Sequence, residues 1–316
     1  MPRIRTVAAV LSVLAATGST TAATARAELY GAPAPPPELT AATLDARYQA
    51  TDREIDRALA TARRAHDKTK LRVLATFLSN GRRFLSFDAR GDGQAVEVLG
   101  DLRHADRVAV VVPGADNSLA DYDSPKFVGG GSRALYRQLR ADAPSAHVAV
   151  IAWLGYDSPS TRSTAVLTTG RAESGARALR ELLTDVHRVN DHTRFALLCH
   201  SYGSVVCAKA APLLAPLPVD DIALFGSPGT TARHAADLGT SAHVWAGRAK
   251  GDWMRYVPNV RVAGLGFGPD PVSSGFGALP FDAGTGPHSG YLAPGSRALR
   301  NLSLIALGRP EEVTHA

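Results

Sequence analysis

Residues 194–211 read RFALLCHSYGSVVCAKAA: an apolar run from Phe195 to Leu198, then Cys-His-Ser-Tyr-Gly-Ser, then small and aliphatic residues. The first part predicts a buried strand and the last a helix, so the residues between them form a sharp strand-to-helix turn. Small-x-Ser-x-Gly at such a turn suits a nucleophilic serine, because the bend lifts Ser201 off the sheet and only small neighbours fit around it. The adjoining helix N-terminus also favours developing negative charge. Cys199 stands where a glycine is usual, and a plain helix N-cap would equally explain a serine here.

Outward from this turn, strands alternate with helices. The run 107–112 is continuously apolar after Arg107, as in a strand buried on both faces. Before it, 83–87 and 95–99 read as a hairpin around Gly91-Asp92-Gly93. Beyond it come a helix over 132–141, a strand over 147–153, a helix over 172–189, the strand 195–199 and a helix over 202–213. Strands over 222–225 and 243–246 follow, with a short helical stretch near Arg233 between them, and a last helix over 297–307. In 172–189, Leu179, Leu182, Leu183 and Val186 share one face, as in an amphipathic crossover helix. This alternation predicts an α/β class fold with a mostly parallel, doubly wound sheet and its chemistry at the strands' carboxyl ends.

A serine hydroxyl needs a base and an orienting carboxylate. Asp252 follows the strand 243–246, and His288 lies in Thr285-Gly286-Pro287-His288-Ser289-Gly290-Tyr291 before the last helix. Asp270 and Asp282 are alternative acids, and His200, His234 and His243 alternative bases, but none has so apt a position. The oxyanion hole is expected from the N–H groups of Tyr202 and of Ala115, in Val112-Pro113-Gly114-Ala115-Asp116-Asn117. Asn117 either assists through its side chain or forms the turn. Trp153, Tyr156 and Tyr202 would wall the cleft with aromatic surface, or pack as core at strand ends.

The other segments bound the class of protein. Residues 1–27 have a basic start, an apolar stretch over 7–16 and Ala25-Arg26-Ala27, the layout of a signal peptide cleaved near Ala27 to release a secreted, extracellular protein. Residues 28–38 hold Ala32-Pro33-Ala34-Pro35-Pro36-Pro37 and read as an extended linker. In 39–80, Leu44, Tyr48, Ile55, Leu59, Leu71, Leu74 and Leu78 recur at helical spacing, a helical N-terminal preface to a main domain over 81–316. No later apolar run is long enough for a transmembrane segment.

The 316 residues, 45% hydrophobic and 20% charged, suffice for a large core. Removing Arg3, Arg5 and Arg26 with the leader lowers the net charge of +6 to +3, and the other arginines form no basic stripe with interleaved aromatics, so no nucleic-acid partner is expected. Cys199 and Cys207 would pair in an oxidising compartment; the alternative is two inert buried thiols. They have no ligand-spaced partners for zinc. Gly129-Gly130-Gly131 lacks the context of a phosphate loop, and no HExxH occurs, so neither a metal nor a cofactor is expected.

The chain resembles the α/β hydrolases, and more narrowly a bacterial family long carried as a domain of unknown function. The resemblance covers about 83–302. It rests on Phe84-Leu85-Ser86-Phe87-Asp88 with Gly91-Asp92-Gly93, Val112-Pro113-Gly114, Trp153-Leu154-Gly155-Tyr156-Asp157-Ser158-Pro159, His200-Ser201-Tyr202-Gly203, Phe225-Gly226-Ser227-Pro228-Gly229 and Pro287-His288-Ser289-Gly290-Tyr291. It implies the α/β-hydrolase fold, a Ser201, Asp252, His288 triad and a cleft bordered by 153–159, but no substrate. The expectation is a secreted serine hydrolase cleaving carboxylic esters or related acyl bonds through an acyl-enzyme, on a small-molecule or lipid-like acyl substrate. Acyl transfer or peptide cleavage on the same fold, and a non-catalytic exported binding protein, are the alternatives. The sequence leaves acyl specificity and oligomeric state open.

Overall fold

Helix α1 (Leu44–Arg64) buries Tyr48, Ile55, Leu59 and Ala62 along one stripe, and α2 (Lys68–Phe77) starts where the Asp67 side chain accepts the Lys70 N–H at 3.1 Å. The computed structural model describes residues 29–79 and 81–315; the expected leader over 1–27 lies outside them. The proline-rich segment runs along α1, where the Ala34 N–H donates to Glu54 Oε1 at 3.0 Å, and Tyr30 and Leu39 on either side are buried.

The strands are β1 (Arg83–Asp88), β2 (Gln94–Leu99), β3 (Arg107–Val112), β4 (Val148–Leu154), β5 (Arg194–His200), β6 (Val219–Phe225), β7 (His243–Gly247) and β8 (Leu279–Pro280). They form one eight-stranded sheet in the order β1-β2-β4-β3-β5-β6-β7-β8. β1 and β2 pair antiparallel with each other, β2 pairs antiparallel with β4, and the pairings from β4 to β8 are parallel. Helices α3 (Val128–Asp142) and α6 (Arg297–Leu307) cover one face, and α4 (Gly170–Val189) and α5 (Gly203–Ala210) the other. Along β3, Val108, Val110 and Val112 enter the core under α4 and α5, while Ala109 and Val111 enter the core under α3 and α6. Burial on both faces explains the unbroken apolar run. This is the α/β-hydrolase fold, with helices ahead of the first strand.

Three boundaries differ from the sequence expectation by three residues or more, and the short β8 was not expected. Helix α3 begins at Val128, not 132, and takes Gly129-Gly130-Gly131 into its first turns. A Cβ on Gly129 would stand 2.3 Å from the Tyr122 ring, and one on Gly130 2.3 Å from the Ser124 carbonyl oxygen, so the glycines let this helix start nest in the preceding turn. The helix after Ser201 ends at Ala210 and tightens into a 3₁₀ turn over Ala211–Leu214, where Pro212 removes an N–H. β6 starts at Val219, because Asp220 and Asp221 are tolerated in a strand when Arg107 takes both carboxylates and Trp245 Nε1–H donates to Asp221 at 3.0 Å.

Candidate active site

β5 and α5 meet at Ser201, whose φ of 52° puts a non-glycine residue in the left-handed region. The bend is held by its surroundings. The Ser201 N–H donates to the Phe225 carbonyl at 2.9 Å. A Cβ on Gly203 would fall 2.5 Å from the Val112 carbonyl oxygen, and one on Gly114 2.7 Å from the Ser201 Cβ. Cys199 and Cys207 are disulfide-bonded across a Cα separation of 6.4 Å, tying the last strand residues to the helix.

Three loops at the strands' carboxyl ends then converge. His288 Nε2 lies 3.0 Å from Ser201 Oγ, and His288 Nδ1 lies 2.8 Å from Asp252 Oδ1. With the serine hydroxyl donating to Nε2, the imidazole proton sits on Nδ1 and faces the carboxylate. Asp252 is fully buried. Its Oδ1 also accepts the Met254 N–H at 2.8 Å, and its Oδ2 accepts the Tyr291 hydroxyl at 2.5 Å. Burial alone pushes this carboxyl up, but the bonds from His288, Tyr291 and the Met254 amide outweigh it and hold the group below the usual carboxylate range. Close packing also constrains the back of the triad. A Cβ on Gly226, at φ +57°, would lie 3.0 Å from Asp252 Oδ2 and 3.1 Å from His288 Cε1.

His200 backs the base. Its ring centroid is 4.7 Å from that of His288, and its Nε2–H donates to the His288 carbonyl at 2.8 Å. Burial first, and then the neighbouring His288, lower its pKa to about 3, so it is a neutral donor.

The loop after β3 lies against the serine and is fixed from behind. Tyr156 Oη–H donates to the Pro113 carbonyl at 2.8 Å, Ser158 Oγ–H to the Gly114 carbonyl at 2.8 Å, and the Asn117 N–H to Ser158 Oγ at 3.2 Å. Among the described residues, the N–H groups of Tyr202 and Ala115 have no acceptor. The N–H groups of Gly114 and Gly203, on the same two segments that meet at Ser201, have none either.

The sequence profile of the family described as "Alpha/beta hydrolase" matches residues 88–262, more than half of the chain. The chain belongs to the alpha/beta hydrolase family. Among relatives of this alpha/beta hydrolase, an uncharacterized protein of Mycobacterium tuberculosis is 32% identical over 253 residues, covering 69% of this chain and 37% of that protein. An uncharacterized protein of Mycobacterium bovis is 35% identical over 197 residues, covering 60% of this chain and 69% of that one. The chain thus spans little more than a third of the length of the first relative. A fungal esterase structure from Rhizomucor miehei is similar with a TM-score of 0.44 at 11% identity, covering 80% of this chain and 90% of that one.

Within the hydrolase, the sequence-expected residues divide sharply. Ser201, Asp252 and His288 come together. The alternative acids are engaged elsewhere: Asp270 pairs with Arg248, and Asp282 pairs with Arg297 at 2.6 Å. His243 sits exposed at the amino end of β7, and the His234 side chain caps a 3₁₀ turn. Of the two placements the sequence left open for Trp153 and Tyr156, cleft wall or core, the structure shows the core. Their rings stack at 5.5 Å and both are buried beneath the α4 and α5 face, because β4 lies inside the sheet; Tyr156 reaches the site only through its hydroxyl on the Pro113 loop. Asn117 also serves the loop, since its Oδ1 accepts the Val128 N–H at 3.2 Å and its Nδ2 donates to the Ala115 carbonyl at 3.2 Å. Tyr202 turns its ring to α4, donating to the Thr168 carbonyl at 2.7 Å and accepting the Ala172 N–H at 3.2 Å.

Besides His200, a half-exposed ring stands beside the base: Trp253, 4.9 Å from His288 between centroids. Sequence reasoning missed it, together with the roles of Tyr291 and His200 toward the triad. Its only signal was adjacency to Asp252. Among the described residues, no cluster of His, Cys, Asp or Glu could hold a metal ion, and no helix is long and apolar enough to cross a membrane.

Proposed function

We propose that this alpha/beta hydrolase cleaves carboxylic esters or related acyl bonds, with Ser201 as nucleophile, His288 as general base and acid, and Asp252 as the group that orients and charge-stabilises the imidazole. The observation that carries this reading is the unbroken hydrogen-bonded line from Ser201 Oγ through His288 to the buried Asp252. Ser201 Oγ attacks the acyl carbon as its proton passes to His288 Nε2. The imidazolium so formed is stabilised by Asp252, which stays ionised. The carbonyl oxygen becomes an oxyanion facing the Tyr202 and Ala115 N–H groups, whose freedom from internal acceptors suits them to it. His288 then returns the proton to the departing alcohol, and water repeats the sequence on the acyl-enzyme to release the acid.

We place the chain, within the alpha/beta hydrolases, in the narrower bacterial family that its motifs resemble, and we propose that it is exported. The Cys199–Cys207 bond supports export, since such bonds persist in oxidising compartments. The substrate class we propose is a small-molecule or lipid-like acyl compound. Turnover of a chain-length series of nitrophenyl esters tests the activity: Ser201→Ala and His288→Ala are expected to lose about three orders of magnitude or more in kcat. Full activity of Ser201→Ala on every ester cleaved would overturn the assignment.

A further inference from the structure

Large apolar side chains are exposed to water on the segments that flank the triad, 164–168 and 253–267. Leu167, Trp253, Tyr256, Val260, Val262 and Leu265 are all exposed, Tyr256 at 79% and Val262 at 68%. Val262 and Leu265 exchange two backbone hydrogen bonds of 2.9 Å, closing a hairpin whose tip residues Ala263 and Gly264 have φ of 49° and 83°. This hairpin is joined to the turn bearing Leu167, since the Gly266 N–H donates to the Leu167 carbonyl at 3.0 Å. Its root, Phe267, packs edge-on against Tyr202 at 5.6 Å, and the far end of the patch is Trp253 on His288. The hairpin thus rests through Phe267 on the ring of the residue after Ser201, and Trp253 rests on the base.

An apolar patch at a site mouth marks a surface that meets another apolar phase. Its charge says which. In 157–173 and 252–270, Asp157 pairs with Arg171, Asp270 with Arg248 and Asp252 with His288, which leaves the cations Arg162, Arg255 and Arg261 against the one carboxylate of Glu173. Among the described residues, the side chains of Arg162 and Arg261 make no hydrogen bond or ion pair, and both are exposed. A symmetric contact with a second copy would gather the unpaired cations of both copies in one interface, with only the Glu173 carboxylate of each to offset them. An anionic lipid surface satisfies both the aliphatic tips and the guanidinium groups.

We propose that the 260–267 hairpin, the 164–168 turn and Trp253 seat the mouth of the site on an anionic phospholipid surface, so that an acyl chain reaches Ser201 directly from the lipid phase. The proposal rests on the acyl-hydrolase reading, and its test is kept separate from it by using a protein that cannot turn over. Full-length Ser201→Ala protein is sedimented with phosphatidylglycerol vesicles and with phosphatidylcholine vesicles. Strong partition onto the first and weak partition onto the second are expected. Val262→Asp with Leu265→Asp should weaken partition at least tenfold, and Arg162→Ala with Arg261→Ala about thirtyfold on the anionic vesicles alone, each with an unchanged melting temperature.

Equal partition onto both vesicle types, no partition onto either, or partition that survives the aspartate pair would overturn the docking surface. So would loss of a dimer in the aspartate pair without vesicle binding by the parent. Fluorophosphonate labelling of the wild-type serine reads the underlying hydrolase assignment independently. A chain that labels at Ser201 but ignores phosphatidylglycerol loses only the docking surface.

Discussion

The Tyr291 hydroxyl donates to Asp252 Oδ2 at 2.5 Å while accepting the Ala249 N–H at 3.1 Å. Three residues after the base, it pins the acid, so one short loop sets both partners of Ser201. Burial of Tyr291 and the adjoining carboxylate push its pKa well up, so it is a neutral donor at any working pH. Hydrogen bonds to buried charged groups are worth about 1.5–3 kcal/mol. Tyr291→Phe is accordingly expected to cut kcat by about ten- to a hundredfold with KM little changed, as measured on a soluble ester.

His200 links stability to pH. Its folded pKa of about 3 lies below the ordinary 6.5, so between these values the unfolded chain binds a proton that the folded chain excludes. Stability is therefore full above about pH 6.5 and falls as pH drops toward 3, by about 1.4 kcal/mol per pH unit from this group. Urea unfolding at pH 5 and pH 7 should show that slope reduced in His200→Gln. An unchanged slope would mean that His200 titrates normally in the folded chain.

The fold around the site was legible in the sequence wherever a regular period or a buried run carried it. β3, β5, β7, α4 and α6 are such elements, and Ser201, Asp252 and His288 could be singled out because Ser201 and Asp252 follow β5 and β7 and His288 lies in the loop before α6. What could not be read were contacts between loops without a period. The bond from Tyr291 to Asp252 crosses the irregular stretch between β7 and α6, and nothing in residues 248–291 announces which tyrosine faces which acid. For Trp153 and Tyr156 the sequence left cleft and core both open for a related reason: a strand's end says where a side chain leaves the sheet, but the depth of the covering helices decides whether it meets solvent. The three glycines opening α3 were masked by low helix propensity, which packing against Tyr122 and Ser124 overrides.

The Cys199–Cys207 bond encloses a short loop, and chain-entropy reasoning gives it about 2.5 kcal/mol. Both residues are fully buried. Reductant without denaturant is expected to leave the bond intact, whereas Cys199→Ala with Cys207→Ala lowers the melting temperature by several degrees and slows labelling of Ser201. Thermal melts with and without reductant check this.

Gly203 has no room for a methyl group: its Cβ would meet the Val112 and Pro113 carbonyl oxygens at 2.5 and 2.7 Å, and both are backbone atoms. Gly203→Ala must displace either the serine turn or the loop carrying Ala115. A destabilisation of about 1–3 kcal/mol and at least a tenfold loss of kcat are expected. Denaturant melts paired with kinetics separate the two effects.

The proposed chemistry turns on activation of the Ser201 hydroxyl by His288. A fluorophosphonate probe followed by peptide mapping reads this most directly. The predicted result is a single adduct on Ser201 that forms rapidly in the wild-type chain, forms at least a thousandfold more slowly in His288→Ala, and is absent from Ser201→Ala. An adduct on another residue, or labelling of Ser201 at the same rate without His288, would mean that His288 does not activate this serine.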